Sequence, residues 1–452
     1  MNKIDYISGT NKIIEKKEKP YSLIMGTLSV LMFVAGHSRG SSIFLFIGVF
    51  IMALNFVVFS EDLLCLQLLY IPLVAVLKLS VDGASLLSYI SLIGILVFLF
   101  KRRASTIEPS IILICSGLFL LILLKEFFQQ FGFTMVYIKL LITMATTAIF
   151  VKEKISDVNT TQEEIRKANV FLTWGVILAS VVGYFFAENP NFAKFLTIES
   201  KYIGEELVSR FCGVSADPNY YSSLVIFAIA ANLFQFIYRP HISNIAYVII
   251  LLIFGILSLS KMFLILLTVT MLLFMLAWIK TRGLKSSKNV ISIILIVTCM
   301  FIGLYYLLNS STVQLIFFRM EDSGSLNEFT TGRSDTWLAY ISTIWENIGY
   351  FLVGTNINSS LVGGHNAHNT ILQIWWKLGI IGLLFIFMWF TTMWRKCKKR
   401  NVMGSTIMII GCLGPTLVLD MLFFEQLFWF FAFYILCKQV LVTDKRKNPE
   451  VE

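Results

Sequence analysis

Four histidines occur in the 452 residues, and two of them, His365 and His368, lie three apart in Gly363-Gly364-His365-Asn366-Ala367-His368-Asn369-Thr370. Histidine is the side chain best matched to moving a proton near neutral pH. The stretch runs directly into an apolar segment, so it stands at the start of a helix beginning near Asn369. A helix start offers backbone N–H groups and partial positive charge, which suit an anion. The plainer alternative is that His and Asn cap the helix at a membrane interface.

Arginines form the second constellation. Arg210 lies in Ser209-Arg210-Phe211-Cys212-Gly213, Arg319 just beyond an apolar run, and Arg333 in Thr331-Gly332-Arg333-Ser334-Asp335-Thr336-Trp337. Arginine grips phosphate oxygens with a planar fork and stays charged. Lys261, in Leu259-Ser260-Lys261-Met262, falls at the end of another apolar run and could reach the same place. Each alone could be an interfacial anchor; together they describe a site for a pyrophosphate. Asp217-Pro218-Asn219 reads as a helix start, with Asp capping and Pro at the first helical position. Gly379 and Gly382, three apart, would allow a close helix contact. Lys139, Lys377, Asp420 and Glu425 fall in or at the ends of apolar runs and carry no assigned role. The seven cysteines form no C-x-x-C pair and no cluster with histidine, so neither disulfide framework nor zinc site is indicated.

The elements that must position these residues are helices in a bilayer. Of the chain, 57% is apolar and only 14% charged, with a mean hydropathy of +0.78. Soluble domains carry about 25% charged residues. A soluble enzyme, a disordered chain and a nucleic-acid-binding domain are thereby excluded. Apolar runs near 21–36, 42–60, 62–80, 84–100, 109–124, 131–151, 169–187, 219–238, 243–259, 261–279, 290–309, 369–391, 403–419 and 421–441 predict an all-α polytopic membrane protein. That is about fourteen transmembrane helices in a single integral membrane domain over residues 1–452. The first run, Tyr21 to Ala35, follows a basic stretch but reads as a retained helix, since apolar spans continue at once.

Charge sets the orientation. With the N-terminus inside, the inner segments hold Lys101-Arg102-Arg103, four cations at 280–288, five at 395–400 and Lys445-Arg446-Lys447. The Lys/Arg bias of cytoplasmic loops then puts both termini in the cytoplasm, and it accounts for the net charge of +10. Two long external loops result, at 188–218 and, late in the chain, at 310–368. Connections this long are usually functional. In the second, apolar residues at 337, 341, 344, 345 and 348 after Ser334 predict a Ser-capped amphipathic helix on the outer membrane surface.

Taken in order, these pieces resemble the O-antigen ligase and Wzy-type polysaccharide polymerase family. The resemblance covers roughly residues 205–385: Ser209-Arg210-Phe211-Cys212-Gly213 with Asp217-Pro218-Asn219, then Leu259-Ser260-Lys261, Gly332-Arg333-Ser334-Asp335-Thr336-Trp337, and His368-Asn369-Thr370-Ile371-Leu372 closed by Gly379-Ile380-Ile381-Gly382. Lys261 stands where arginine is more usual, and Lys377 where an acid often precedes the glycine step.

The resemblance implies glycosyl transfer on the outer face of the cytoplasmic membrane, without a cofactor or metal. The donor would be an undecaprenyl-pyrophosphate-linked oligosaccharide. The acceptor would be a sugar hydroxyl, on another lipid-linked repeat unit in a polymerase or on lipid A-core in a ligase. His368, Arg210 and Arg333 would be catalytic; Arg319, Lys261, His365, Asn369 and Asp335 would bind substrate. Partners would be membrane lipid and the flippase and chain-length regulator of the same pathway, with no nucleic acid. From other classes come a flippase for lipid-linked oligosaccharides and a non-catalytic membrane scaffold; the first would need a central polar cavity rather than a motif-bearing loop.

Overall fold

A chain this apolar can sit in hydrocarbon only if each segment satisfies its own backbone, which an α-helix does. The computed structural model describes residues 21–80, 85–101, 108–129, 135–155, 158–195, 199–203, 206–215, 217–282, 314, 332–355, 360–361, 366–396, 402–421 and 425–439. These fold almost entirely as helices. The exception is an antiparallel ribbon of Glu199–Ile203 with Glu206–Arg210, in which Glu199 pairs with Arg210.

Among the described residues, six helices are long and apolar enough to cross a membrane: Tyr21–Arg39, Pro109–Phe127, Glu163–Phe186, Pro218–Tyr238, Lys261–Thr281 and Thr370–Arg395. A seventh results if Ser42–Val58 and Ser60–Leu73, bent by 92° at their junction, form one broken span. Ile43, Phe46, Phe50, Leu113 and Phe127 stand largely exposed on such helices. Water penalises apolar faces of that kind and lipid does not. The protein is thus membrane-embedded and helical.

Of the fourteen apolar runs, the one at 131–151 forms the 21-residue helix Met135–Ile155, and several others fold as short helices. Leu86–Lys101, Ile242–Leu257, Thr406–Leu417 and Gln426–Lys438 are apolar but fall short of that length. The run at 62–80 becomes a short helix, Leu63–Tyr70, with a 3₁₀ turn to Leu73, and every residue of it is buried inside the bundle. The run at 290–309, both termini and most of 280–289 lie outside the described residues.

The Pro218–Tyr238 helix is the axis of the bundle. It is buried along most of its length and packs against Val158–Phe186, Ile242–Leu257, Lys261–Arg282 and Val402–Leu413. Asn232, on its buried face, donates to Thr173 Oγ1 at 2.7 Å and accepts from Asn169 at 3.2 Å. A buried carboxamide without such partners would cost a few kcal/mol. At the helix start, the Asp217 carboxylate accepts from the amides of Asn219 and Tyr220 at 2.6 and 3.2 Å, with Pro218 in the first position.

A second, smaller core lies at the same end of the bundle. Tyr340, Ile344, Ala367 and Trp376 are buried together, with Tyr350, Phe351, Leu361, Leu372 and Trp375 around them. Tyr340 and Tyr350 meet Trp376 edge-on, at centroid distances of 5.1 and 5.5 Å. This cap layer consists of Arg333–Glu346, Ile348–Val353 and the first turns of Thr370–Lys396. The amphipathic helix therefore exists, but its cap is Gly332 rather than Ser334. Gly332 takes a φ of +82°, which a residue without Cβ reaches freely. The buried stripe shifts accordingly to Tyr340 and Ile344; Trp345 and Ile348 are exposed, and Asn347 caps a separate short helix.

The last long helix is broken. At Gly379 the backbone turns to φ 66°, ψ −179°, dividing Thr370–Lys396 in two. A Cβ there would run into the Leu352 carbonyl, so the close approach expected at this glycine is to backbone of the cap layer. The break releases carbonyls that need partners. Trp376 O accepts from Thr355 N and Oγ1 at 2.7 and 3.0 Å, and Lys377 O accepts from Lys125 Nζ.

Candidate functional site

Arg210 ends the ribbon and is buried. Its Nε donates to Ser258 O at 3.3 Å, and its Nη2 reaches Asn219 Oδ1 at 3.5 Å, on the first turn of the axial helix. Asn219 Oδ1 also accepts from Ser260 Oγ at 2.8 Å. Ser258 and Ser260 flank Leu259, whose φ is +51°. This strained turn joins Ile242–Leu257 to the helix that begins at Lys261. The Leu259-Ser260-Lys261 motif and Arg210 therefore meet on one side chain, Asn219.

Tyr220, next along, takes the site in the other direction. Its hydroxyl donates to the Asp420 carbonyl at 2.5 Å and lies within the electrostatic reach of Asp420, Asp217 and Arg333. The segment around Asp420 in turn holds the start of the Thr370 helix. Thr370 Oγ1 donates to Leu419 O at 2.6 Å and accepts from Met421 N at 3.0 Å, while Asn369 Nδ2 donates to Leu417 O at 3.0 Å.

His368 immediately precedes that anchor. It is partly exposed and adopts a φ of +49°, a conformation that costs a non-glycine residue about 1 kcal/mol. Its neighbours impose it. Gln373 accepts from Ala367 N at 2.8 Å and donates to Asn366 at 3.1 Å. The Asn369 side chain caps Leu372 N at 3.1 Å. From the cap layer, Trp337 Nε1 donates to Ala367 O at 2.8 Å. Trp337 lies one helical turn after Arg333, whose charge reaches Tyr220.

Hydrogen bonds and short steps along the backbone link Arg210, Asn219–Tyr220, Leu419–Asp420, Thr370–His368 and Ala367–Trp337 to Arg333, an open ring whose last step, from Arg333 to Tyr220, is one of charge. Three residues named from sequence, Arg210, Arg333 and His368, stand on it. Lys261 is the first residue of its helix, beside Ser260, and Asn369 serves as the cap of the Thr370 helix. Asp335 is exposed in the first turn of the Arg333 helix. Arg319 and His365 lie outside the described residues. Among the described residues no three His, Cys, Asp or Glu side chains gather as a metal site.

Two features go beyond the sequence reading. Asp420, without a role there, is a buried carboxylate whose charge reaches Tyr220, Tyr340 and Lys377. Burial pushes the Tyr340 phenol above its usual range; the Leu361 amide bonded to its oxygen pulls down, and Asp420 adds to the rise. The sequence signal was only that an ionisable group sat in an apolar run. Second, the amides at the two helix starts are already bonded to side-chain oxygens of their own chain, from Asp217 and Asn369. The amides of Asn219, Tyr220 and Leu372 are therefore taken up within the chain, while Arg210, Arg333 and Lys261 supply the positive charge at this end. What the ring offers chemically is a strained, partly exposed imidazole together with guanidinium groups, which suits a proton transfer coupled to departure of an anion.

Compared with family models and with curated proteins, the chain matches none.

Proposed function

We propose that the chain is a Wzy-type polysaccharide polymerase, joining one undecaprenyl-pyrophosphate-linked glycan to a sugar hydroxyl of another lipid-linked repeat unit. The observation supporting this reading is the series of hydrogen bonds, completed by the charge of Arg333 on Tyr220, that brings the segments bearing Arg210, Arg333 and His368 to one end of the bundle although their motifs are spread over more than 150 residues. The acceptor oxygen attacks the anomeric carbon of the donor. As that bond forms, the bond from anomeric carbon to phosphate oxygen breaks, and undecaprenyl pyrophosphate leaves with the electron pair. The hydroxyl proton passes to the His368 imidazole. Arg210 and Arg333, with Lys261 nearby, hold the charge on the leaving group.

The reaction belongs to the outer face of the cytoplasmic membrane. Supporting that placement is the Lys/Arg asymmetry, which sets 280–289, 392–402 and both termini of a chain of about fourteen spans in the cytoplasm. Labelling of single cysteines tests it: a residue near 285 reachable from outside would overturn the orientation. The glycan profile of a strain lacking the gene tests the reaction. Loss of the polymer ladder with one repeat unit retained means polymerase; long polymer left on the carrier lipid means ligase, with lipid A-core as acceptor. A flippase would instead tolerate deletion of residues 310–366.

A further inference from the structure

The break at Gly379 makes the nine residues Thr370–Leu378 a separate rod with His368 at its head. Helical continuity cannot fix the direction of this rod, since the i→i−4 ladder is interrupted at its tail. The head is fastened through Asn369 and Thr370 to Leu417 and Leu419. The tail is fastened by two groups from elsewhere in the chain. Thr355 takes the Trp376 carbonyl. Lys125, 252 residues away in the Pro109–Gln129 helix, takes the Lys377 carbonyl.

Lys125 is only 4% exposed, so it is placed to hold protein and not substrate. Its ammonium also donates to Tyr137 Oη at 3.4 Å and feels both the opposite charge of Glu126 and the like charge of Lys377. A cation at the carbonyl end of a helical segment matches the dipole there. We infer that Lys125 is a positioning residue for His368, acting by latching the tail of the rod that carries it. The rod is about 13 Å long and its head is held, so without the latch it swings about the head: a tilt of about 5° moves the tail by about 1 Å and turns the backbone that carries His368 with it. A displacement of that size can cost about 10²-fold in rate. The catalytic consequence rests on the proposed role of His368; the latch itself does not.

The test uses the full-length protein in detergent or liposomes, with Lys125→Met and Lys125→Arg. Hydrogen exchange of backbone amides should quicken over 366–378 in Lys125→Met, stay unchanged over 383–396, and return toward the wild-type pattern in Lys125→Arg. With a lipid-linked repeat unit as substrate, turnover in Lys125→Met should fall about 10–100-fold while KM stays within about twofold, and Lys125→Arg should recover most of it. If Lys125→Met does not accumulate, Thr355→Val, which withdraws a hydroxyl from the same cut end, is read by the same two measurements. Unchanged exchange over 366–378 would overturn the latch. A raised KM with intact turnover would also overturn it, making Lys125 a substrate contact. A protein that lengthens no glycan at all would sink the polymerase reading while the exchange measurement still decides the latch.

Discussion

Trp337 and Ala367, thirty residues apart, are joined by an indole N–H to carbonyl hydrogen bond of 2.8 Å. One end lies a turn after Arg333 and the other immediately before His368. The bond therefore fixes the cap layer that bears Arg333 against the turn that bears His368. A hydrogen bond of this kind contributes about 1 kcal/mol to stability, but its effect on geometry can be larger. Trp337→Phe keeps an aromatic ring and removes the donor. We expect normal expression and a turnover reduced about 10–100-fold, read as ladder length in cells and as rate with purified protein.

Arg210 and Arg333 should respond to the shape of the side chain as well as its charge. Replacing either with Ala should abolish polymer. Lys should restore part of it, because the charge is retained and the fork lost. The Arg210 variants should be the more damaging to stability, since that side chain is buried and bonded to Ser258 O and Asn219. Ala variants of both arginines that make normal polymer at normal protein levels would remove the pyrophosphate clamp.

His368→Ala should abolish detectable polymer, whereas His365→Ala should leave a reduced but visible ladder. A positioned base is worth about 10²–10⁴-fold in rate. His368→Gly separates strain from chemistry. Relieving the φ of +49° should leave stability equal or higher, by up to about 1 kcal/mol, with activity lost.

Two glycines with similar φ should differ in cost. Gly332 has φ +82° and open space for 4 Å around the point where a Cβ would stand, while Gly379 has φ +66° and the Leu352 carbonyl in the way. Gly332→Ala should lower stability by about 1 kcal/mol. Gly379→Ala should cost clearly more and should disturb the cap layer, seen as earlier thermal unfolding followed by tryptophan fluorescence, given Trp375 and Trp376 beside the break.

Hydropathy made the apolar helices readable, because length and composition alone decide whether a segment can lie in lipid. The Asp217 cap was readable for a similar reason: Asp before Pro acts within one turn. Other features depend on partners far along the chain. Gly379 in an apolar run signals a small residue, and only the Leu352 backbone against it shows a break. Asp420 shows its relevance through partners far along the chain, among them Tyr220, 200 residues earlier. At the start of the Thr370 helix the sequence leaves two readings open, an anion site and a capping residue, and Asn369 does cap it.

The most direct measurement follows a purified, liposome-embedded protein given a lipid-linked single repeat unit and nothing else. The wild type should convert it to a ladder of longer lipid-linked glycans, releasing one undecaprenyl pyrophosphate for each glycosidic bond formed. His368→Ala and Arg210→Ala, matched for amount, should leave the single unit unchanged. A wild-type protein that leaves the single unit intact, or a His368→Ala protein that builds the same ladder, would contradict polymerisation by this site.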